Sequence, residues 1–306
     1  MSKVVSVNIS KKKGTIKTPV DEITLNETGV MHDAHAGQWN RQVSLLGIES
    51  IQKFSKQLGR NLSFGEFAEN ITTEGINLFQ LHPLDTLSIG ESVVEVTQIG
   101  KKCHGTSCQI FKETGDCIMP TEGIFGRVIK QGKIITGMPI LYESRCFKVL
   151  IITLSDRASQ GQYEDRSGPI IKTEIKNYFE NLSRKYEISH EIIPDDPISL
   201  EKLLQQSHSF DIVITNGSTG IGPRDIAPDV ISKFMDKGIP GIMEMIRVKY
   251  GADKPGALLS RSVAGMKGQT LIYTLPGSPK AVKEYIQEIL RTLQHALYMI
   301  HGLDIH

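Results

Sequence analysis

From residue 147 onward, continuous apolar runs alternate with amphipathic stretches, and this alternation restricts the fold more than any other feature of the chain. FKVLIITL (147–154) has no polar alternation, as expected of a parallel strand covered on both faces. Ser167 offers an N-cap with Pro169 just inside the helix that follows, and Ile171, Ile175, Tyr178, Phe179 and Leu182 recur at helical spacing. YEISHEII (186–193), a short helix around Leu200–Leu204, DIVIT (211–215) and LIYTL (271–275) continue the series. In the last helix Ser278 is the cap, Pro279 takes the first position and Gly302 closes it. Between them Val282, Ile286, Ile289, Leu293 and Leu297 lie on one stripe. Strands and helices in this order predict a three-layer α/β domain.

The first half follows a different pattern. VVSVNI, DEITL, SVVEVTQI and KIITGMPIL are strand-like runs between glycine and polar turns. One amphipathic helix carries Ile48, Ile51, Phe54 and Leu58 and ends at Gly59. This predicts a mostly-β barrel or sandwich. The pattern changes near YESRCF (142–147), so two domains are expected, 1–145 and 146–306.

Charge narrows the partners. Lys and Arg number 35 against 34 Asp and Glu, for a net charge of +1, and the only basic run is Lys11-Lys12-Lys13. No basic stripe marks a nucleic-acid binder. No apolar run reaches the ~18 residues of a membrane span, and the start MSKVVSVNIS lacks the apolar core of a secretory leader. Four cysteines in so long a chain do not form a disulfide framework, so a reducing cytoplasm is the expected setting.

VITNGSTGIGPRDIAPD (213–229) is a strand end, a glycine-rich loop and a helix start. In open α/β sheets ligands bind at this end of the strands, where a phosphate meets unpaired amides and the positive end of a helix. Gly217, Gly220 and Gly222 permit close backbone approach, while Thr215, Ser218 and Thr219 add hydroxyls. An aspartate facing a bare phosphate would repel it, so Asp225 points to Mg2+ bridging phosphates. No G-x-x-x-x-G-K-[ST] occurs, so this is not a Walker loop. LPGSPK (275–280) has the same build, with Lys280 in the first helical turn, and two such loops can face one cleft. Ser260, Arg261 and Ser262 suit either an anion or a solvated turn, and the methionines and isoleucines of IPGIMEMIRVKYG (239–251) are expected in the core.

SDRAS (155–159), EDRSGP (164–169), IPDD (193–196), GSTGIGPRDIAPD (217–229), LLSRSVAG (258–265) and LPGSPKAV (275–282), in this order, resemble the MogA/MoaB family. These are the molybdopterin adenylyltransferases, which include the G domains of gephyrin-type proteins. The resemblance implies a molybdopterin-binding α/β fold, a homotrimer, and transfer of AMP from Mg·ATP to the terminal phosphate of molybdopterin. By motif it implies that Asp225 and Asp195 organise Mg2+ and the attacking phosphate. Gly217, Ser218, Thr219 and Gly220 would cradle phosphates, and Ser260, Arg261 and Lys280 would hold anionic groups. Ser155 and Asp156, with Pro276, Gly277 and Ser278, join the same cofactor-binding set. The family's T-G-G-T-G has become N-G-S-T-G, and Ser218 at a position of positive φ would be strained by roughly 1–2 kcal/mol. A non-catalytic molybdopterin carrier is therefore the alternative.

GVMHDAHAG (29–37), RQVSLL (41–46), FGEFAENITTEGI (64–76), EVTQIGKKC (95–103) and GDCIMPTEGIF (115–125) resemble a MOSC domain, named after the C-terminal part of molybdenum cofactor sulfurase. The resemblance implies binding or sulfuration of molybdenum cofactor, with Cys103 as the sulfur carrier and a sulfur donor or a molybdoenzyme as partner. Ala34 stands where many MOSC proteins have arginine. From the residues alone, Cys103, His104, Cys108 and Cys117 lack the C-x2-C pair of a zinc or iron–sulfur site. Lys101, Lys102 and His104 beside Cys103 would lower its pKa, whereas a buried inert thiol is the third reading. Cys117 is a second candidate and Cys146 is expected to be structural. His32, His35 and Asp33 could line a site, although a histidine beside turn glycines is more often a satisfied surface group.

Overall fold

The computed structural model describes residues 1–101, Phe111 and 117–303. Cys103, with its neighbours His104 and Cys108, lies outside the described residues. The chain forms two compact units, Met1–Arg145, which takes in Leu303 as well, and Cys146–Gly302.

The first unit runs β1 (Lys3–Ile9), β2 (Thr18–Val20), β3 (Glu22–Asn26), β4 (Gly29–Val30), β5 (Val43–Gly47), α1 (Ile48–Leu58), β6 (Ile71–Glu74), β7 (Thr86–Ile89), β8 (Ser92–Ile99), β9 (Ile124–Lys130), β10 (Gly132–Ile135) and β11 (Ile140–Glu143). Eight strands pair in the order β11-β7-β8-β9-β5-β6-β1-β2, and three more in the order β10-β3-β4. Val4, Val7, Leu45, Ile71 and Val94 of the large sheet share one buried cluster with Ile23, Leu25, Val30 and Ile134 of the small one. Among the described residues a closed barrel is not confirmed. The amide of Val4 donates to Met138 O at 2.9 Å and that of Ile140 to Ser2 O at 2.9 Å, but the end strands β11 and β2 do not pair. An isolated antiparallel bridge joins Lys3 to Pro139, and the two β-sheets share one core.

α1 forms where the pattern placed it. Ile51 and Phe54 are buried, and Gly59 ends the helix at φ 68°, where only glycine is unstrained.

The second unit runs β12 (Cys146–Leu154), α2 (Asp156–Ser159), α3 (Ser167–Asn181), β13 (Lys185–Ile193), α4 (Pro197–Gln205), β14 (Ile212–Asn216), α5 (Ala227–Phe234), β15 (Lys237–Gly238), α6 (Pro240–Gly251), β16 (Ala264–Lys267), β17 (Thr270–Leu275) and α7 (Pro279–Ile300). The sheet order is β13-β12-β14-β17-β16-β15. β12 pairs in parallel with β13 and β14, and β14 in parallel with β17. Alternate side chains of β12 serve opposite faces. Leu150, Ile152 and Leu154 pack with Leu200, Leu204 and Ile231 from α4 and α5, and α3 packs on α7 in a separate layer. This is the three-layer α/β arrangement expected.

Two details differ from the expectation. α3 begins at Ser167 with no side-chain cap from its flanking residue, and Asp165 Oδ1 accepts from the amides of Ser167 and Gly168 at 2.8 and 3.1 Å. The Ser167 hydroxyl instead donates to Gly277 O at 2.7 Å, so the expected cap ties two loops together. In α6 Met243 and Ile246 are buried, but Met245 and Val248 face outward. Among the described residues no helix is long and apolar enough to cross a membrane.

Candidate functional site

The chain leaves β12 for β13 on one side and later enters β14 on the other, so the sheet has a switch point between β12 and β14. Register aligns the strand ends there. Thr153 lies opposite Asn216, and Asn216 lies opposite Leu275. The three loops that follow, starting at Ser155, Gly217 and Pro276, therefore emerge side by side. They surround a cleft of about 560 Å3, within the usual size of a small-molecule site.

Tight backbone contact holds the loops together. Gly217 has φ +96°, its amide donates to Leu275 O at 3.0 Å, and a Cβ there would stand 2.3 Å from Leu154 O. Only glycine fits. Gly220 is constrained differently, since a Cβ there would stand 2.7 Å from Asp225 Oδ2.

Of the residues expected to bind ligand, Ser155, Asp156, Gly217, Ser218, Gly277 and Ser278 line the cleft, as do Asp195 and Asp225. Thr219, Gly220, Ser260, Arg261, Pro276 and Lys280 are not among its lining residues. Ser278 is also the N-cap of α7, accepting from the amide of Ala281 at 3.4 Å.

Arg261 is the clearest correction. Its Nε donates to Gly220 O at 2.8 Å and Nη2 to Asp225 O at 2.5 Å, while Nη1 and Nη2 each reach an oxygen of Asp229 at 2.9 Å. These bonds tie the guanidinium to the glycine loop. Ser260 and Ser262 pair their hydroxyls at 2.9 Å. Thr215 Oγ1 is buried without a hydrogen-bond partner among the described residues, and Thr215 is not among the cleft's lining residues.

Ser218 does stand in the left-handed region, at φ 55°. Its hydroxyl donates to Arg224 O at 2.8 Å and accepts from the amide of Ile226 at 2.8 Å. The side chain thus clamps the two ends of the segment that glycine would leave loose.

The carboxylates meet around Arg224. Its Nη2 contacts both oxygens of Asp156, at 2.7 and 2.5 Å. Asp156 and Asp195 exchange main-chain bonds, Asp156 N to Asp195 Oδ2 at 3.2 Å and Asp195 N to Asp156 Oδ1 at 3.1 Å. Burial, with the Asp156 charge nearby, pushes the Asp195 carboxyl above its ordinary value. Asp225 Oδ2 accepts from the amide of Gly222 at 2.7 Å.

Sequence reasoning missed the floor of the cleft. Thr153 Oγ1 lies 2.8 Å from Asp165 Oδ2, 2.9 Å from His190 Nε2 and 3.0 Å from Asn216 Oδ1. Thr153 and Asn216 end adjacent strands and His190 sits on the next, so only sheet register brings them together. Arg157, Tyr163, Arg166 and Arg224 also line the cleft and were not singled out.

In the first unit Asp33 takes part in the core. It is buried with Lys17, Nζ to Oδ2 2.7 Å, and also accepts from the amides of Ser10 and His35 at 2.9 Å each. Burial would raise the Asp33 carboxyl, but the His35 and Lys17 bonds overcome it and hold it well below the usual range. Glu69 is fully buried, bonded by the Gly65 amide at 2.6 Å and the Thr72 hydroxyl at 3.0 Å. Cys117 packs beside a cluster that includes Phe67, Ile118 and Met119. Cys146 heads β12, where burial raises its thiol.

Comparison with known proteins accounts for both units. The family model described as "Probable molybdopterin binding domain" matches residues 150–295, and that of the MOSC domain matches 32–141. The molybdopterin adenylyltransferase of Helicobacter pylori (strain J99) is 35% identical over 155 residues, covering 50% of this chain and 86% of its own. The gephyrin of Dictyostelium discoideum is 36% identical over 160 residues, 50% of this chain, which spans only 22% of that relative's length. Among solved structures, the molybdopterin biosynthesis enzyme MoaB of Thermus thermophilus shares 35% identity over 51% of this chain and 97% of its own, with a TM-score of 0.46. Through its second unit the chain belongs to the molybdopterin adenylyltransferase family, and its first unit carries a MOSC domain.

Proposed function

We propose that the second unit adenylylates molybdopterin in molybdenum cofactor biosynthesis, joining AMP from Mg·ATP to the terminal phosphate and releasing pyrophosphate. The observation that carries this reading is the convergence of three strand-end loops on one cleft that holds Asp156, Asp195 and Asp225. These hard oxygen donors suit Mg2+. Among the described residues no three such side chains stand close enough to hold an ion alone, so phosphate oxygens and water would complete its shell. When bound, Mg2+ would neutralise phosphate charge.

The chain's own part is placement. Joining two anions needs alignment and charge neutralisation more than proton transfer. The Ser218 amide, which has no partner among the described residues, is a donor for a phosphate oxygen. Arg261 and the Ser218 hydroxyl hold the loop in place for it. Asp225 keeps its carboxylate fixed through the Gly222 amide.

The test is AMP transfer. Purified protein, molybdopterin and Mg·ATP are mixed, and adenylylated molybdopterin is measured. Asp225→Asn keeps an acceptor for the Gly222 amide while removing the charge, and it should slow product formation on the order of a hundredfold. Tight molybdopterin binding without product would sink the catalytic reading in favour of a carrier.

For the first unit, binding or sulfuration of the cofactor, with Cys103 as sulfur carrier, rests on the MOSC match. Self-association of the second unit as a homotrimer is supported by the outward-facing Val248, Leu258 and Leu259 on α6 and the turn after it. Sedimentation would test it.

A further inference from the structure

Among the described residues two guanidiniums in the cleft have no acidic partner. Arg157 lies 5.4 Å from the centroid of the Tyr163 ring and Arg166 lies 5.8 Å from it. All three side chains line the cleft. Among the described residues neither arginine makes a salt bridge or a side-chain hydrogen bond. Arg224, by contrast, is neutralised by Asp156.

The cleft lining carries both signs, Asp156, Asp165, Asp195 and Asp225 with Arg157, Arg166 and Arg224. Because Arg224 is paired with Asp156, Arg157 and Arg166 beside Tyr163 are the lining cations left without an acidic partner among the described residues. Both guanidiniums lie within cation–π range of the one Tyr163 ring. Two like charges on one ring repel each other, and an anion between them relieves that repulsion. A phosphate monoester suits two such guanidiniums, since its oxygens can accept from both forks.

The two substrates of the proposed reaction differ in just this respect. The nucleotide arrives with its phosphates already wrapped around a divalent cation, which favours carboxylates. The phosphate monoester that attacks it arrives without one. We propose that Arg157, Arg166 and Tyr163 form the subsite that binds the metal-free phosphate monoester, while the carboxylates take the metal–nucleotide complex. The inference rests on the adenylyl-transfer reading for the identity of the monoester, but the metal independence of the subsite can be read separately. It makes Arg157 and Arg166 specificity-determining residues that act on KM for molybdopterin.

The experiment measures two affinities in the full chain. Anaerobic fluorescence titration with molybdopterin in EDTA reads the monoester subsite. Titration with Mg2+ and α,β-methylene-ATP, which cannot transfer AMP, reads the nucleotide subsite. Arg157→Ala and Arg166→Ala should each weaken molybdopterin about tenfold, and the double variant about a hundredfold. The nucleotide analogue should stay within twofold. Tyr163→Phe keeps the ring and should bind as wild type, whereas Tyr163→Ala should lose affinity. Dephosphorylated molybdopterin should be insensitive to both arginines. Both positions are exposed, so the variants are expected to fold, and unchanged circular dichroism checks this.

Equal weakening of both ligands, or weakening of the nucleotide alone, would overturn the subsite. Sensitivity of the dephosphorylated compound would also overturn it, by showing that the arginines stack on the pterin. If wild type makes no adenylylated product yet the arginine variants lose metal-free binding, the reaction fails and the subsite stands. If wild type makes product and the variants bind molybdopterin normally, the subsite fails and the reaction stands.

Discussion

Replacing Ser218 by alanine or by glycine separates two effects that oppose each other at the mouth of the cleft. The residue sits at φ 55°, which costs an L-residue roughly 1–2 kcal/mol. Its hydroxyl makes two hydrogen bonds of 2.8 Å, to Arg224 O and from Ile226 N, each contributing about 1 kcal/mol. Alanine keeps the strain and loses both bonds, so it should destabilise by about 2 kcal/mol. Glycine loses the same bonds but sheds the strain, and the more flexible unfolded chain takes back about 0.4–1 kcal/mol. Its net loss should be about 1 kcal/mol.

The expected order is serine, then glycine, then alanine, with Tm steps of roughly 2–4 °C in a unit of this size. Urea unfolding followed by far-UV circular dichroism reads the order. Amide exchange at Ile226, fast in both variants and slow in wild type, localises it. An alanine variant as stable as the glycine variant would refute the strain argument, and unchanged exchange at Ile226 would refute the clamp. Because the serine already holds the left-handed geometry, Ser218→Gly should transfer AMP within about threefold of wild type. A large gain would instead favour the carrier reading.

Arg261 should behave as a scaffold. Its pair with Asp229 is exposed and contributes little, but the bonds to Gly220 O and Asp225 O hold the loop. Arg261→Ala and Arg261→Lys should both lower AMP transfer about tenfold, because an ammonium cannot reach the same acceptors; wild-type kinetics in the lysine variant would restore the anion-holding role. Asp195→Asn should raise Tm at pH 7 while lowering activity. The Asp195 carboxyl is raised in the folded state by burial, so folding favours its protonated form and loses that contribution as pH rises through the raised value. The advantage of the amide should vanish below the ordinary aspartate pKa of about 3.9. A Tm difference independent of pH would contradict this account.

The strands were legible because a buried parallel strand leaves an unbroken apolar run. β12 is such a run, and the loops after β12, β14 and β17 could be recognised from glycine, proline and capping serine. The strand order of the first unit was not legible, because the pattern of a β-strand is the same whichever strands it pairs with. Ser167 shows a similar limit. Its residue type suits a cap, yet its hydroxyl reaches Gly277 O across the cleft.

Sequence by itself determined the two kinds of unit, the family of each, and the glycine loop with its strained serine. These follow from local pattern, which neighbours along the chain carry together. Tertiary structure alone decided which side chains face the ligand. It turned Arg261 onto main-chain carbonyls, buried Asp33 against Lys17, and set Asp165, His190 and Asn216 around the Thr153 hydroxyl. Those choices depend on strand register and on contacts between residues far apart in the chain, which no local pattern records.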